Sequence, residues 1–176
     1  KGLLYAADSF QKFKNHIKNC RKKIIFTPEE DAKVFFSPAE GKKAQRFLIS
    51  KIKSSQDLDI AAHRFSTKSI INALKGKLNE NHEIRLIVDD DLYWRSKDIK
   101  VGFNTWYEVK KIRSLSHPNF LMKYMQTNHR ARLLHHNKFM LLKGKNRAVF
   151  HGAGNFTDAA FSKNFENFYY FTFSSA

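Results

Sequence analysis

The stretch from residue 134 to residue 142 carries the side chains best suited to chemistry, a histidine and a lysine two residues apart. His136 and Lys138 stand at the start of an apolar run that ends at Leu142, and this run predicts a buried strand. Side chains alternate along a strand, so the imidazole and the ammonium share one face, about 7 Å apart. An imidazole can attack phosphorus while an ammonium holds a non-bridging oxygen. The spacing therefore indicates chemistry on a phosphodiester, although an isolated His-x-Lys is more often the start of an ordinary core strand.

Two polar positions further along the chain change the interpretation of this pair. A second short strand runs into Gly152-Ala153-Gly154-Asn155, and a later aromatic strand begins near Glu166. Glycine allows the backbone to turn sharply and to approach a ligand closely, so we expect Gly152 and Gly154 to contact substrate. Asn155 follows them, where its side-chain amide is placed to donate a hydrogen bond to an anion.

The order His-x-Lys, Gly-x-Gly-Asn and Glu-Asn resembles the phospholipase D superfamily, in particular its small members of the bacterial endonuclease type, which carry one motif. The resemblance covers about residues 32–173, because three upstream segments are also similar to that family: 36–38, 58–65 and 83–89. It implies an α/β fold with a mixed, largely parallel central sheet and helices on both faces, an α-β-α sandwich.

The resemblance also implies the reactive residues and a reaction that needs no metal or other cofactor. These residues are His136, Lys138, Asn155 and Glu166. His136 would attack phosphorus and form a phosphohistidine, and Glu166 would bond the far ring nitrogen. Lys138 and Asn155 would hold the charged oxygens. A second imidazole must protonate the leaving oxygen, and small members of the family supply it by pairing two chains about a two-fold axis. We therefore expect a homodimer with a composite active site.

Two positions depart from the family pattern. The pattern His-x-Lys-x-x-x-x-Asp ends here in Lys143, and Ala153 stands where the family usually has serine. The family's aspartate is usually regarded as structural, so its loss weakens the resemblance without removing the chemistry. The alanine removes a hydroxyl that could help to bind phosphate. A relative that binds nucleic acid but has weakened catalysis is therefore an alternative.

The chain is strongly basic, with 32 Lys and Arg against 16 Asp and Glu, a formal net charge of +16 and a pI near 10.0. This charge attracts polyanions, and nucleic acid and anionic membrane surfaces both qualify. Charge, size and the single motif favour a nuclease that cleaves DNA or RNA. A phospholipase D or phosphatidyl transferase is the alternative, since the fold does not choose between phosphodiesters. Such an enzyme should expose an apolar rim for acyl chains.

Alternating strands and helices are predicted to position these residues in one domain, residues 31–176. Apolar runs and helical spacing predict strand, helix, strand, helix and strand in that order: 32–36, 42–54, 58–62, 67–78 and 84–88. This alternation is typical of an α/β sheet with parallel neighbours. Residues 1–30 are predicted to add an amphipathic helix and a short strand that pack on or flank the domain.

Aromatic and basic residues are interleaved between about residues 92 and 132. The candidates for substrate contact there are Trp94, Arg95, Arg130 and Arg132. Such a mixture fits a groove that follows a phosphate backbone and stacks bases, or equally an insertion that covers the sheet. His63 follows the first interior strand at the end where active sites of the family open, so it is a candidate for the pocket wall.

No metal site is predicted. Asp89-Asp90-Asp91 closes a strand, where a polar turn is more common than a magnesium site. His135 and His136 point to opposite faces of one strand, which disfavours a zinc site. Cys20 is the only cysteine, so no internal disulfide can form and the compartment is not determined. The chain begins at Lys1, as after removal of a signal or in a truncated chain, and a secreted or periplasmic location is slightly favoured.

Overall fold

The described part of the chain forms a seven-stranded sheet and two long helices in this computed structural model. The structure describes residues 32–89, 108, 110–125, 134–145 and 147–173, so the predicted N-terminal helix and short strand lie outside the described residues. The strands are β1 (Lys33–Ser37), β2 (Leu58–Ala62), β3 (Ile84–Asp89), β4 (Phe120–Met125), β5 (Lys138–Leu142), β6 (Arg147–Gly152) and β7 (Glu166–Phe173). The helices are α1 (Gly41–Ser54) and α2 (Lys68–Asn79). No helix within the described residues has the length and apolar character needed to cross a membrane.

The strands are arranged in the order β1-β7-β6-β5-β2-β3-β4. β2, β3 and β4 run parallel to one another, whereas the other four neighbouring pairs are antiparallel. The mixed α/β fold is therefore confirmed, but the expectation of a largely parallel sheet is wrong. Parallel neighbours need a long crossover, usually a helix. α2 forms such a crossover between β2 and β3, whereas only residues 143–146 connect β5 to β6.

One hydrophobic core lies between the helices and the sheet face toward which alternate strand residues point. The helices contribute small and aliphatic side chains at helical spacing: Ala44, Leu48, Ile52, Ile70, Leu74 and Leu78. Fully buried rings come from the strands and their connections: Phe65, Phe150, Phe156, Phe161 and Phe168. Each such ring contributes about 1.5–3 kcal/mol by burial. Both long helices pack on this face, and a helix on the opposite face stays a prediction for the part of the chain outside the described residues.

The register of the strand pairs brings several strand ends together at one end of the sheet. β1, β2, β3 and β6 finish there, and β5 and β7 begin there. Ala62 of β2 is opposite Lys138 of β5, and Ser37 of β1 is opposite Glu166 of β7. We call this end of the sheet the His136 end, because His136 lies two residues before β5.

Gly152, the last residue of β6, has no room for a side chain. A Cβ at this position would lie 2.0 Å from the carbonyl oxygen of Asn167 and 3.0 Å from the Cα of Phe168, both in the backbone of β7. The Gly152→Ala substitution is therefore expected to lower the free energy of unfolding by about 2–3 kcal/mol, the upper part of the usual cost of overpacking an interior. Equilibrium unfolding in urea, followed by circular dichroism, measures this change.

Gly76→Ala in α2 is the matched control, because no atom outside the helix backbone lies within 4 Å of the Cβ position there. The added methyl group reduces the conformational entropy of the unfolded chain, so this variant should gain about 0.5–1 kcal/mol. A Gly152→Ala protein with the unfolding midpoint of the wild type would show that β6 and β7 separate locally without cost.

Candidate active site

His136 and His63 lie in contact at the His136 end. His63 follows β2 and His136 precedes β5, and because Ala62 is opposite Lys138 in this pair of strands, the two histidines are neighbours. Their ring centroids are 4.8 Å apart, with an angle of 60° between the ring planes. The His136 side chain is exposed, whereas His63 is half-buried. The structure thus brings these two candidates together, and contact of His63 with substrate stays a prediction.

Lys138 opens β5 with its ammonium turned back toward His136. The residue is only 8% exposed, and its Nζ donates a hydrogen bond of 2.8 Å to the carbonyl oxygen of His136. Burial lowers the pKa of Lys138, and the nearby carboxylate of Glu166 partly opposes this shift. This hydrogen bond connects the Lys138 ammonium to the backbone of His136, so it restricts the position of the ammonium relative to that residue.

Asn155 reaches the same end from the loop after β6. This loop is bound to the segment after β2, because the Phe156 N–H donates to the Arg64 carbonyl oxygen at 3.1 Å and the Ser66 N–H donates to the Phe156 carbonyl oxygen at 2.9 Å. The side-chain oxygen of Asn155 is buried and accepts no hydrogen bond from the described residues. The amide is therefore held at the His136 end with an unused oxygen.

Glu166 begins β7 near Lys138. Its Oε1 accepts a hydrogen bond of 3.3 Å from the side-chain amide of Asn164, and its carboxylate acts on the charge of Lys138. Within the described chain no hydrogen bond joins Glu166 to His136, so the bond expected between them is not formed inside one chain. The role of Glu166 in fixing the tautomer of His136 remains a prediction.

Buried polar atoms without a partner are concentrated at the His136 end. Six such side-chain atoms form no hydrogen bond with any described residue: Ser37 Oγ, His63 Nδ1, Thr67 Oγ1, Glu108 Oε2, His135 Nε2 and Asn155 Oδ1. The Glu108 carboxylate has the Arg64 guanidinium near it, at 3.6 Å. A buried polar atom that lacks a hydrogen bond costs about 1–3 kcal/mol, so native proteins keep few of them. Their concentration indicates a place that binds a polar ligand.

An open cleft of about 540 Å³ begins at His136 and continues along β5 and β6. Polar residues line it at the His136 end and apolar residues line it further along; they include His136, Lys138, Phe139, Val149, His151 and Gly152. Small-molecule sites combine apolar walls with a few fixed polar groups in this way. Phe139, Val149 and His151 belong to the sheet face away from the core, so the cleft runs along that face and reaches the exposed His136.

His63 is neutral at pH 7. Burial is the main cause, and it lowers the pKa from 6.5 to about 4 together with nearby positive charge, of which Arg64 is the largest source. A neutral imidazole can donate or accept a hydrogen bond, but it has no extra proton to give to a leaving group at this pH. The lowered pKa therefore disfavours His63 as the general acid of a reaction at neutral pH.

The free energy of unfolding should fall as the pH drops from about 6.5 to about 4. In this range the unfolded chain binds a proton on His63 that the folded chain excludes, because the folded pKa is the lower of the two. His63→Asn removes the titrating group, so the wild type should lose more stability over this range than the variant. Urea unfolding at about pH 7, 5.5 and 4 measures the difference. Equal losses in both proteins would contradict a buried, neutral imidazole.

Lys143, the first departure from the family pattern, has a structural partner at the opposite end of the sheet. Its Nζ lies 2.7 Å from the Asp59 carboxylate, which also accepts two hydrogen bonds of 2.6 Å from Arg85. Burial alone would raise the pKa of Asp59, but the bonds from Arg85 and Lys143 outweigh it and lower the pKa. Ala153, the second departure, is exposed at the His136 end, and its N–H donates to the carbonyl oxygen of Asn167 at 3.1 Å.

The glycines and the aromatic and basic segment had been predicted to contact substrate. Gly152 and Gly154 lack side chains where β7 packs on them, since a Cβ at Gly154 would lie 2.3 Å from the ring of Phe168. Packing therefore explains both glycines, and their contact with substrate stays a prediction. The four candidates from the interleaved segment lie outside the described residues: Trp94, Arg95, Arg130 and Arg132.

One contact at the His136 end had no counterpart in the sequence analysis. Asp89, the last residue of β3, is fully buried, and its Oδ2 accepts a hydrogen bond of 2.6 Å from the backbone N–H of His135. The sequence shows Asp89 as the first of three aspartates, but no periodicity tells which residue such a carboxylate meets. Among the described residues, no group of three or more His, Cys, Asp or Glu could hold a metal ion.

Comparisons with known proteins give one family and several similar folds. A family model described as "Cardiolipin synthase, PLD-like domain" matches residues 48–172. NucT from Helicobacter pylori has a TM-score of 0.62 and 20% identity, over 80% of this chain and 84% of that one. Nuc from Salmonella typhimurium, a phospholipase D family member, has a TM-score of 0.62 and 21% identity, over 81% and 83%. Polyphosphate kinase from Porphyromonas gingivalis has a TM-score of 0.54 and 13% identity, over 82% and 23%. A comparison with curated proteins gives no match.

Proposed function

Since the chain belongs to the phospholipase D superfamily, we propose that it is a phosphodiesterase that cleaves DNA or RNA without a metal, through a phosphohistidine on His136. The observation that carries the proposal is the hydrogen bond between Lys138 and His136 at the end of the sheet where buried polar atoms, among them the Asn155 side-chain oxygen, lack partners. A nucleophile, a cation and an amide donor are the groups that transfer of a phosphoryl group requires.

The proposed reaction consists of two displacements at phosphorus. In the first, the neutral imidazole of His136 attacks, the bond from phosphorus to the leaving oxygen breaks, and a protonated imidazole gives that oxygen its proton. In the second, this second imidazole takes a proton from water, the water oxygen attacks, and the phosphorus–nitrogen bond breaks, which restores His136. Lys138 and the Asn155 amide stabilise the negative charge on the non-bridging oxygens in both displacements.

A second copy of the chain is the proposed source of the protonated imidazole. His63 has no extra proton to supply at neutral pH, because its pKa is about 4. In-line displacement puts phosphorus between nucleophile and acid, which places the two roughly 6–7 Å apart when reacting atoms start about 3 Å from each other. In a homodimer, His136 of the second copy would be the acid, and one composite site would lie on the two-fold axis.

Nucleic acid is the proposed substrate because of charge. The chain carries a formal net charge of +16, and nucleic acid gains affinity with each phosphate that a Lys or Arg neutralises. The resemblance of the motifs to the endonuclease type of the superfamily supports the same choice. A cleft that opens to the surface at His136 admits a polymer that passes across it.

Phospholipid is the second candidate, and an apolar rim favours it. Phe36, Leu134 and Phe165 are 59%, 50% and 91% exposed, and each lies within two residues of a position at the His136 end. Exposed apolar side chains around a phosphodiester site suit acyl chains at an anionic membrane surface. The protein would then be a phospholipase D or a phosphatidyl transferase that uses the same reactive groups.

A panel of substrates with a chelator present tests the proposal. The protein is incubated in EDTA with supercoiled plasmid, single-stranded DNA, RNA, and vesicles of phosphatidylglycerol and cardiolipin. We expect fragments of nucleic acid, and a covalent DNA–protein adduct when the reaction is stopped in alkali, where phosphohistidine survives. Headgroup release without cleavage of nucleic acid would establish the lipid candidate instead. Salt-sensitive binding without any product would indicate a relative that has lost turnover.

A further inference from the structure

Two hydrogen bonds hold the backbone on either side of His136. On the N-terminal side, the Asp89 carboxylate accepts from the N–H of His135 at 2.6 Å. On the C-terminal side, the Lys138 ammonium donates to the carbonyl oxygen of His136 at 2.8 Å. Both anchoring residues are buried, with exposed fractions of 0% for Asp89 and 8% for Lys138. His136 is thus exposed in a segment whose backbone is bound on both sides.

The bond to Asp89 spans a strand. β2 lies between β3 and β5 in the sheet, so Asp89 at the end of β3 and His135 before β5 belong to strands about 10 Å apart. The segment before β5 therefore bends across the end of β2 to bring the His135 N–H to the carboxylate. His63 follows β2 at this point, and its ring contacts that of His136. The path of the segment determines where the imidazole of His136 stands.

A carboxylate at this position needs an explanation. Burial of a charge costs several kcal/mol in lost hydration, and an apolar side chain would fill the end of β3 without that cost. In return, a hydrogen bond to a carboxylate is about twice as strong as one to a neutral oxygen. The bond from the His135 N–H is an interaction that the Asp89 carboxylate provides and an apolar side chain does not, and it anchors the segment that carries His136.

We propose that Asp89 is a positioning residue: by holding His135 it fixes the backbone from which the His136 imidazole approaches phosphorus. The inference rests on the proposed function, because the step that it serves is the attack of His136. A displacement of about 1 Å in a reacting group can lower a rate about 10²-fold. Loss of the anchor should therefore act on turnover more than on binding of the substrate.

The variants Asp89→Asn and Asp89→Leu distinguish the hydrogen-bond acceptor of Asp89 from its negative charge. Asparagine keeps a carbonyl oxygen for the His135 N–H, whereas leucine has no acceptor. On the substrate that the wild type cleaves, kcat should fall about 10-fold with asparagine and about 100-fold with leucine, while KM stays within about twofold. Asp57→Leu is the matched control, because Asp57 accepts a similar bond of 2.8 Å from the Glu83 N–H at the opposite end of the sheet. Its kcat should equal that of the wild type.

NMR spectroscopy gives a measurement that does not need activity. The His135 amide proton should resonate far downfield in the wild type and move upfield in Asp89→Leu, and the nuclear Overhauser effect between the His63 and His136 rings should weaken. If the wild type cleaves no phosphodiester, the proposed function fails, and these two signals decide the positioning role by themselves. Wild-type kcat in Asp89→Leu, or unchanged NMR signals, would overturn the proposal. If the leucine variant does not fold, Asp89→Asn serves for both comparisons.

Discussion

Replacement of His136 by asparagine is expected to lower the rate of phosphodiester cleavage at least about 10³-fold. Asparagine keeps a polar side chain of similar size, but its amide cannot form the bond to phosphorus that an imidazole nitrogen forms. If two copies share one site, the same substitution also removes the proton donor, which alone contributes about 10²–10⁴-fold. The initial rate on the preferred nucleic acid, with EDTA present, measures the loss.

The fold should tolerate this substitution. His136 is exposed and its ring contact is with His63, so the free energy of unfolding should change by less than about 0.5 kcal/mol. His82→Asn is the control, because His82 lies at the opposite end of the sheet beside the carboxylates of Asp57 and Glu80. The His82→Asn substitution should leave the rate of phosphodiester cleavage unchanged. Wild-type activity in a folded His136→Asn protein would exclude His136 as the nucleophile.

Mixed dimers show whether the site is composite. If two equivalent subunits share one site on their axis, an equal mixture of wild-type and His136→Asn chains contains about one quarter wild-type pairs after exchange of subunits. The activity should then be about one quarter of that of the same total amount of wild type. Chains that act alone would instead retain about one half. The inactive variant is therefore expected to inhibit the active chain with which it pairs.

The elements that position the reactive pair could be predicted where a local pattern reports them. In β5, the apolar run of residues 139–142 indicates a strand, and the alternation of side chains along a strand predicts that Lys138 shares a face with Met140. The parallel strands β2 and β3 could be predicted because a helical pattern separates them. The directions of β1, β5, β6 and β7 could not be predicted in this way, because the direction of a strand depends on its neighbour in the sheet and not on its own residues. The short connection at residues 143–146 was the local sign of an antiparallel pair.

Contacts between distant segments account for what the sequence analysis missed. Asp89 and His135 are 46 positions apart in the chain, and Lys143 pairs with Asp59 of the neighbouring strand β2. Each contact depends on which strands are neighbours, and no periodicity encodes that order. Gly152 shows the same limit: its missing side chain was compatible with a ligand or with another strand, and the structure places β7 against it. Residue types therefore predicted the reactive groups, whereas the order of the strands determines which residues contact and hold those groups.

Lys138→Met should lower kcat about 10²–10³-fold, the usual loss when one group that stabilises a developing oxyanion is removed. Methionine has the length and the apolar stem of lysine, but it lacks the charge that stabilises the non-bridging oxygens and the hydrogen bond to the His136 carbonyl oxygen. Burial lowers the pKa of Lys138, which means that the charged ammonium is less stable in the folded protein than in water. The free energy of unfolding should therefore change little, because removal of the buried charge offsets the loss of the hydrogen bond to the His136 carbonyl oxygen.

A second buried lysine makes this comparison a controlled one. Lys77 in α2 is 4% exposed, and its ammonium donates to the carbonyl oxygen of Lys53 and to the Glu80 carboxylate. Lys77→Met leaves that carbonyl oxygen without its partner, so it should cost about 1–2 kcal/mol of stability, while kcat stays that of the wild type. Lys138→Met should show the reverse, a lower rate without loss of stability. If its activity falls only in proportion to the unfolded fraction, the ammonium of Lys138 serves the fold and not the reaction.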